Sequence, residues 1–499
     1  MSGQQQAVDC DYLIVGGGSA GPVLARRIAE ADIGHVILVE AGKSDEGDSS
    51  ILDLSRLDQQ DPTTEWGFTA APIRGFSQQI QYSRAKMLGG CGGHNDCAFL
   101  VPPYSDFDHW STLGAAGWSG SEVEPFFKRV EDRVKIDTCP PVSPLSEKFI
   151  RAGESLGLKR VNFRQEIIEG VGVFPLNVSG PMRQSSSVAY LHPLGELLSN
   201  LQVKCHTIAE KLVVTGNRVT GCVTTQGEIQ VNKEVLLCCG AIQTPQLLMV
   251  SGIGPSEHLK ELGISTEVDL QGVGQNLADH SAANISMKLN QPLPEWALTP
   301  CEVTMMLRIN DDAPAPDLLY HFVLRMREKY IRSDPVIAGL NGVKISPNVT
   351  RPKSRGQVRL RSKFFRESPE IDLNYFSDPE GYDLRTLVEG LRFVRKVADS
   401  DILKEVFKGE ALPGVLVQSD DELADYIRET CETVYHPAGT CRMGRPHDKM
   451  SVVTPDLKVK GIDGLRVCDA SVFPAMVTVN INNTVMMVAE KAADLVIGG

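Results

Sequence analysis

The chain has 499 residues, of which 42% are hydrophobic and 23% charged, and this ordinary globular mixture excludes a fibrous or disordered protein. Its formal net charge is −13 and no long basic segment occurs, so we expect no nucleic-acid partner. No uninterrupted apolar segment reaches the length of a membrane span, and no basic, cleavable leader precedes the first apolar run. We therefore expect a soluble, cytoplasmic protein without membrane contact.

The N-terminal segment has the pattern of a βαβ unit with a glycine-rich turn. A short apolar run is followed directly by the sequence GGGSAG, then by a helical pattern and a second apolar run. The turn has the G-x-G-x-x-G spacing, with its glycines at Gly16, Gly18 and Gly21. The predicted elements are a strand at 11–15, a helix at 22–31 and a strand at 35–39.

This turn predicts a dinucleotide-binding site. Gly16 permits a tight turn, Gly18 lets the backbone approach a pyrophosphate, and Gly21 lets the helix pack closely on the strand. The pyrophosphate then lies at the helix N-terminus, where backbone N–H groups point outward. Glu40 follows the second strand and is placed to accept hydrogen bonds from an adenosine ribose, which favours NAD or FAD over a 2′-phosphorylated dinucleotide.

Later segments return to the nucleotide-binding pattern in the middle of the chain and again near its end. We predict strands at 202–214, 218–231, 234–239 and 465–469, and helices at 245–251 and 483–496. The predicted fold class is α/β, with a Rossmann-like domain assembled from discontinuous segments and a second, substrate-binding domain. The first domain comprises residues 1–130, 196–282 and 426–499, and the second comprises residues 131–195 and 283–425.

The sequence contains 12 cysteines, which we expect to be free thiols. Several lie in apolar runs such as VLLCCGA, where a cysteine behaves as a small hydrophobic residue. No Cys-x-x-Cys pair occurs, so no metal site is predicted.

Four separated blocks resemble the signature segments of one family, the glucose–methanol–choline (GMC) flavin oxidoreductases. They follow one another in the family's order and span almost the whole chain. The blocks are VGGGSAG with EAG near the N-terminus, RAKMLGG running to DHW, GAIQTPQLLMVSGIG in the middle, and YHPAGT with VCDAS and TVNINNTVMMVAEKAAD near the C-terminus. The resemblance implies the GMC fold, in which the second domain carries an antiparallel sheet, and FAD as the resident cofactor.

The sequence resembles the choline-oxidising members of this family most, and this implies a covalently bound flavin. His94 falls on the histidine that those members attach to the flavin 8α-methyl; the alternative is that His94 only packs against the flavin. Asp96 replaces a serine, and an added carboxylate close to the flavin disfavours the anionic reduced ring. The other positions that the resemblance assigns to FAD contacts are Ser19, Ala41, Gly89, Gly90, Asn95, Val213, Ala241, Asp469, Ala470 and Asn480.

The resemblance also implies a catalytic pair for alcohol oxidation. His436 in YHPAGT matches the family's catalytic histidine, whose imidazole can take the hydroxyl proton near neutral pH. Asn482 is assigned as the second residue, a neutral side chain that can stabilise the alkoxide. A small shift at the helix start would give this role to Asn480 or Asn483 instead.

The same resemblance places His280 and His321 in the substrate pocket. Trp66 is a candidate for an apolar wall of this pocket, with a core position as the alternative, and Val434 is assigned to the pocket as well. Ala282 stands where the related enzymes have a glutamate that holds the trimethylammonium group of choline. Loss of a carboxylate from a desolvated site removes preference for a cation. We therefore expect a neutral alcohol, or one with a differently placed cation, rather than choline as the preferred substrate.

The sequence thus predicts an FAD-dependent alcohol oxidase. Hydride passes from the alcohol carbon to flavin N5, giving an aldehyde or ketone, and O₂ reoxidises the flavin to give H₂O₂. Three alternatives stay open: a dehydrogenase that uses a quinone, a non-redox lyase that retains FAD, and an NAD-dependent dehydrogenase on the Rossmann unit alone. The resemblance also suggests a homodimer.

Overall fold

The computed structural model describes residues 8–138, 140, 142–194, 198–292, 299–324 and 341–499, which include every predicted site residue. Cys139 lies outside the described residues, and the other cysteines are free thiols. Among the described residues no helix combines the length and apolarity that a membrane crossing needs. The same part of the chain holds no group of three or more His, Cys, Asp or Glu side chains arranged to bind a metal ion.

Helices and strands alternate irregularly along the chain. The helices are α1 (Gly21–Glu30), α2 (Ser49–Leu52), α3 (Tyr104–Thr112), α4 (Gly120–Arg133), α5 (Pro144–Ser155), α6 (Gly240–Val250), α7 (Ser256–Glu261), α8 (Tyr382–Ala398), α9 (Asp401–Lys404), α10 (Asp420–Thr430) and α11 (Asn482–Ile497). The strands are β1 (Val8–Val15), β2 (Val36–Val39), β3 (Phe68–Ala70), β4 (Ile80–Tyr82), β5 (Gly170–Val173), β6 (Val178–Ser179), β7 (Met182–Arg183), β8 (Leu201–Lys204), β9 (Ala209–Thr215), β10 (Arg218–Thr224), β11 (Gly227–Leu237), β12 (Ile253–Gly254), β13 (Val268–Asp269), β14 (Gln275–Leu277), β15 (Ser281–Ala282), β16 (Ile285–Leu289), β17 (Cys301–Leu307), β18 (Leu318–Val323), β19 (Gly342–Val349), β20 (Gly356–Arg359), β21 (Glu370–Asp372), β22 (Phe407–Leu412), β23 (Glu432–Thr433) and β24 (Leu465–Val467).

The first large sheet carries the predicted βαβ unit. Its strand order is β8-β2-β1-β11-β10-β9, and β24 also pairs with β11. The central strand β1 runs parallel to both β2 and β11, whereas β9 and β10 are antiparallel additions. The chain leaves β1 at Gly16 and β2 at Glu40, so the glycine-rich turn and the acid lie at the same edge of the sheet.

The glycines of this turn have the separate roles that the sequence predicted. Gly16 has a φ of +103°, in the region that L side chains rarely adopt. A Cβ at Gly21 would lie 2.1 Å from the carbonyl oxygen of Gly16, so only glycine lets α1 pack this closely. The predicted strand–turn–helix–strand unit is therefore confirmed.

The strands that follow are divided differently from the prediction. The segment predicted as one strand at 202–214 forms β8 and β9, because the chain turns at His206, whose φ is +53°. The break predicted between 231 and 234 falls inside the continuous strand β11.

Helix α6 begins at Gly240, five residues before the predicted start at Pro245. A proline inside a helix leaves the carbonyl four residues earlier without its N–H donor. Here that carbonyl belongs to Ala241, and the hydroxyl of Thr440 donates to it at 2.6 Å. The proline is therefore tolerated because a distant side chain supplies the missing hydrogen bond.

The second large sheet has the order β22-β16-β19-β18-β17-β5, with β15 pairing to both β19 and β23. Neighbouring strands in this sheet run antiparallel to each other. The short strands β15 and β23 lie in segments that were predicted for the nucleotide-binding domain. Residues from both predicted domains therefore contribute to this sheet. The predicted domain boundaries themselves stay a prediction.

Alternation along the second sheet separates a core face from a polar face. Tyr320, Phe322, Val343 and Ile345 are buried and pack in a cluster with residues of α5, α8 and α10. The intervening positions of β18 and β19 point to the opposite side, because side chains alternate across a strand. These positions carry His321, Val323, Lys344 and Ser346, all of which line the cavity described next.

Candidate active site

A cavity of about 880 Å³ is lined by residues of both large sheets. Its volume lies in the range of cofactor and ligand sites. Most of the residues that the sequence predicted for the site line this cavity. They are Gly16, Gly18, Ser19, Glu40, Ala41, Trp66, Gly90, His94, Asn95, Asp96, Ala241, Ala282, His321, Val434, His436, Asp469, Ala470, Asn480 and Asn482.

Four predicted residues do not line the cavity. Gly21 packs against the turn, and Gly89 has a φ of +81° and lies against Ser187. Val213 was a wrong assignment, because β9 meets the cavity at its first residue, Ala209, and Val213 lies four residues farther along the strand. His280 lies behind His436 instead of facing the cavity, and its function is described below.

The nucleotide end of the cavity contains a buried carboxylate. Glu40 accepts hydrogen bonds from the backbone N–H groups of Gly17 and Gly42, each at 2.8 Å. Burial raises the pKa of Glu40 to about 7, although these hydrogen bonds oppose the shift. A Cβ at Gly18 would have no protein atom closer than 3.9 Å, so the backbone at this position faces open space in the cavity.

A second carboxylate fixes the turn between β11 and α6. Asp469 accepts hydrogen bonds from the backbone N–H of Gly240 at 2.8 Å and from the hydroxyl of Thr244 at 2.6 Å. It thereby ties the segment after β24 to the start of α6. The neighbouring Ala470 is brought to the cavity wall by the same connection.

The position of His436 is fixed by the carboxylate of Asp279. One carboxylate oxygen accepts the backbone N–H of His436 at 2.8 Å. The other accepts the hydroxyls of Tyr82 at 3.0 Å, Tyr375 at 2.6 Å and Thr433 at 2.5 Å. Asp279 is only 3% exposed, so four hydrogen bonds to one buried carboxylate hold the histidine loop in place.

The hydrogen bonds of His280 determine the tautomer of His436. His280 Nε2 lies 2.9 Å from the carbonyl oxygen of Thr350 and 3.1 Å from that of Val477, so this nitrogen carries a proton. Burial lowers the pKa of His280, so its ring is neutral and its Nδ1 is an acceptor. His436 Nδ1 lies 2.9 Å from that acceptor and must donate to it.

His436 therefore presents an unprotonated Nε2 to the cavity. Burial, with additional contributions from His280, His321 and Arg84, lowers the pKa of His436 well below its ordinary value. A neutral imidazole with its proton on Nδ1 has its lone pair on Nε2. This nitrogen is available to accept a proton from a bound hydroxyl group.

Among the three candidate asparagines, Asn480 has its side chain beside His436. Asn480 Nδ2 lies 3.3 Å from His436 Nε2 and is oriented to donate to it. Asn482 lies elsewhere, because it is the first residue of α11 and its Oδ1 accepts the hydroxyl of Ser19 at 2.6 Å. Asn483, the third candidate, is buried and donates to the carbonyl oxygen of Leu100.

Two polar atoms near this end of the cavity are buried without a hydrogen-bond partner among the described residues. They are Oδ1 of Asn480 and Nδ1 of His321. Burial lowers the pKa of His321 to about 4, and its ring stacks on Phe174 at a centroid distance of 5.7 Å. Unpaired buried polar atoms are costly, so both atoms are suited to bind a ligand in the cavity.

The wall around His94 is strongly polar. His94 is 8% exposed, and its Nδ1 lies 3.0 Å from a carboxylate oxygen of Glu65. Burial raises the pKa of the neighbouring Cys91 thiol, but the charge of Arg84 and a hydrogen bond with His94 outweigh it and lower this pKa to about 6. The contact with the Glu65 carboxylate favours a proton on Nδ1 of His94.

Family models described as GMC oxidoreductase match residues 10–282 and 352–489. The chain belongs to the GMC oxidoreductase family. It is 38% identical to choline oxidase from Arthrobacter globiformis, over 97% of this chain and 94% of that protein. It is 34% identical to oxygen-dependent choline dehydrogenase from Brucella ovis, over 98% of this chain and 96% of that protein. Among solved structures, pyridoxine 4-oxidase from Mesorbium loti has a TM-score of 0.90 and 29% identity, over 97% of this chain and 98% of that chain.

GMC oxidoreductases are FAD-dependent, and the residues of this cavity fit that cofactor. The open space beside Gly18 at the α1 N-terminus suits a pyrophosphate, and the buried Glu40 carboxylate lies next to it. The unpartnered atoms of His321 and Asn480 lie at the walls of the same cavity. The family assignment therefore favours the flavin over the nicotinamide dinucleotide.

With His436 proposed as the base, we expect the activity of this GMC oxidoreductase to fall in acid solution. The base must be unprotonated, and burial lowers the pKa of His436 below the ordinary histidine value of 6.5. Falling pH therefore removes activity only once it passes through this lowered pKa. The measurement is kcat/KM against pH, which reports ionisations of the free enzyme. An acid limb centred at or above pH 6.5 would contradict this assignment.

Sequence reasoning missed several residues that shape the site. Asp279 directly precedes the predicted His280, but its partners come from distant segments and no spacing connects them. Arg84 donates to the carbonyl oxygen of Tyr435 at 2.7 Å and stabilises the same loop. Lys344 could have been predicted as a residue of a polar strand face. Apolar and polar residues alternate in the segment VKIS, which is typical of a strand with one apolar and one polar face.

Proposed function

We propose that this GMC oxidoreductase is an FAD-dependent alcohol oxidase. The observation that carries the proposal is the unprotonated Nε2 of His436, which faces a cavity wall shared with the amide of Asn480. The relatives named choline oxidase and pyridoxine 4-oxidase support an alcohol as substrate and O₂ as acceptor. The net reaction converts an alcohol and O₂ into an aldehyde or ketone and H₂O₂.

Residues at both ends of the cavity would hold the cofactor. The turn at Gly16 and Gly18 would receive the pyrophosphate, Glu40 would accept from the adenosine ribose, and His94, Asn95 and Asp96 would contribute to the wall around the ring. When bound, the flavin supplies the acceptor for the hydride that leaves the alcohol carbon. We also propose that residues 1–130, 196–282 and 426–499 form the FAD-binding domain.

The protein's own contribution is to remove the hydroxyl proton and stabilise the oxygen. His436 Nε2 accepts that proton, and His280 keeps the ring in the required tautomer by accepting from Nδ1. The Asn480 amide, 3.3 Å from the same nitrogen, donates to the alkoxide oxygen as its charge develops. The low-dielectric surroundings strengthen this hydrogen bond because water does not compete for it.

Choline is not expected to be the preferred alcohol. Ala282 is 2% exposed and provides no charge where the resemblance places the cation-binding glutamate. We therefore expect a higher kcat/KM for neutral primary alcohols than for choline.

The proposed function is tested with the purified yellow holoenzyme. Primary alcohols are added without oxygen, and bleaching of the flavin absorbance is recorded. The reduced enzyme is then mixed with O₂ or with a quinone. We expect bleaching by an alcohol, fast reoxidation by O₂ and one H₂O₂ per turnover. Faster reoxidation by the quinone would indicate a dehydrogenase, and absence of bleaching together with cyanohydrin cleavage would indicate a lyase.

We further propose that the flavin is bound covalently through His94. The bond joins an imidazole nitrogen to the flavin 8α carbon, each partner loses one hydrogen, and O₂ takes up the two electrons and two protons as H₂O₂. After acid precipitation of the wild-type protein, we expect the yellow colour to remain in the pellet. After the same treatment of His94→Ala, we expect a colourless pellet and a yellow supernatant, measured by absorbance.

The matched control for this experiment is His447→Ala. His447 is exposed and does not line the cavity, so the pellet of this variant should stay yellow. A wild-type pellet without colour would contradict the covalent bond and leave His94 as a residue that packs against the flavin.

A further inference from the structure

An ion pair occupies the cavity wall beside Ala282. Lys344 Nζ on β19 lies 2.6 Å from a carboxylate oxygen of Glu432 on β23, and both residues line the cavity that contains His436. The Lys344 side chain is 10% exposed and that of Glu432 is 37% exposed. Glu432 lies directly opposite Ala282 in the β15–β23 ladder. The carboxylate that residue 282 lacks is thus present one strand away, already paired with a cation.

We propose that the Lys344–Glu432 pair restricts this enzyme to alcohols whose remote end is uncharged. The proposal rests on the alcohol oxidase function above, because it concerns the substrate end of the same cavity. It assigns the two residues as specificity determinants that touch the remote end of the substrate. Two opposite charges at one wall disfavour substrates of either sign.

A cationic substrate is disfavoured because Glu432 is not available to it. A trimethylammonium group has no N–H to donate, so it can only compete with Lys344 for the carboxylate as a bare charge. Displacing Lys344 would leave a nearly buried ammonium without its partner, which is costly. If both cations stayed, they would repel each other at the same wall of the cavity.

An anionic substrate meets the reverse problem. Its carboxylate could bind Lys344 only by displacing Glu432 or by lying beside it, and like charges at that distance repel. An uncharged group with both a donor and an acceptor can approach the pair without separating it. Asn284 and Ser346 line the same wall and offer neutral partners; the Ser346 hydroxyl donates to Asn284 Oδ1 at 2.5 Å.

Asp96 is another carboxylate on the cavity wall that could attract a cation. It belongs to the segment of His94, and its charge raises the pKa of His321, whereas Lys344 lowers it. The charge of Asp96 therefore influences His321, whereas the charge of Glu432 lies beside Ala282. The experiment below separates the two carboxylates, because only Glu432 is released when Lys344 is replaced.

The test compares three alcohols that share the group HO–CH₂–CH₂–. They are choline, its uncharged isostere 3,3-dimethylbutan-1-ol, and 3-hydroxypropionate. Each is measured as a substrate, or as a competitive inhibitor where turnover is too slow, with wild-type, Lys344→Met, Glu432→Gln and the double variant. We expect the wild type to prefer the uncharged alcohol over both charged ones by about tenfold or more.

The variants should then change the preference in opposite directions. Lys344→Met releases the Glu432 carboxylate and should raise the choline-to-isostere ratio by about tenfold or more. Glu432→Gln releases Lys344 and should raise the ratio for 3-hydroxypropionate instead. The double variant removes both charges, so its ratios should return toward those of the wild type; it also guards against misfolding caused by one unpaired charge.

The control is Lys353→Met. Lys353 is an exposed lysine that pairs with Glu380 at 2.6 Å, the same distance as in the Lys344–Glu432 pair, and neither Lys353 nor Glu380 lines the cavity. It should leave all three ratios unchanged. If the wild type prefers choline, or if Lys344→Met leaves the choline ratio within about twofold while the isostere is still oxidised, the inference is overturned. If no alcohol reduces the wild-type flavin, the proposed function itself fails, which is a different result.

Discussion

Replacement of His436 by alanine should lower kcat/KM for an alcohol by about 10³-fold, the typical contribution of a positioned general base. The expected loss is large because Nε2 of His436 faces the cavity and the partner of Nδ1 keeps its lone pair free to accept a proton. The loss should appear in kcat as well as in kcat/KM, because the proton is transferred during reaction and not on binding.

Three measurements distinguish this chemical role from damage to the fold. The His436→Ala protein should contain as much flavin as the wild type, unfold at a similar temperature, and keep the same flavin spectrum. His447→Ala, which removes an exposed histidine, should keep full activity. Retention of activity within about tenfold in His436→Ala would contradict its assignment as the base.

The glycine turn could be predicted from sequence because its determinants are local. Strand, turn, helix and strand follow one another within about 40 residues, and each glycine has a steric reason that depends on its own segment. Glu40 and His436 were found for a similar reason, since each adjoins a recognisable sequence block.

Contacts between distant segments could not be predicted in this way. Asp279 binds groups from three other parts of the chain, and nothing in the spacing of Tyr82, Tyr375 and Thr433 relates them. Lys344 and Glu432 are 88 positions apart and meet only because β15 lies between β19 and β23. Because one residue is positive and the other negative, the pair does not change the net charge, and the composition gives no indication of it.

The difficulty of choosing between Asn480 and Asn482 from the sequence has a more specific cause. Asn480, Asn482 and Asn483 occur within four residues, and the choice among them depends on where α11 begins. Helix boundaries are the least certain feature of a sequence prediction. The start at Asn482 leaves Asn480 in the preceding loop beside His436 and turns the next two asparagines toward Ser19 and Leu100.

This arrangement predicts unequal effects for two substitutions that are chemically identical. Asn480→Ala should lower kcat by about 10²-fold, because it removes the donor to the developing alkoxide. Asn482→Ala should lower kcat by less than about tenfold, because that side chain accepts a hydrogen bond from Ser19 in the glycine-rich turn. Flavin content should be normal in the first variant and reduced in the second.

The matched pair makes the assignment of Asn480 falsifiable. Both variants lose one amide from the same short segment, so a general disturbance of the α11 start would affect them alike. Asn480→Asp provides a further test, since a carboxylate at 3.3 Å from His436 Nε2 would stabilise the imidazolium and repel the alkoxide. We expect its kcat/KM to fall at least as far as that of Asn480→Ala and its acid limb to move to higher pH. If instead Asn482→Ala were the slower enzyme, the hydrogen bond between Asn480 and His436 would have no catalytic role, and the alkoxide would have to be stabilised from the cofactor end of the cavity.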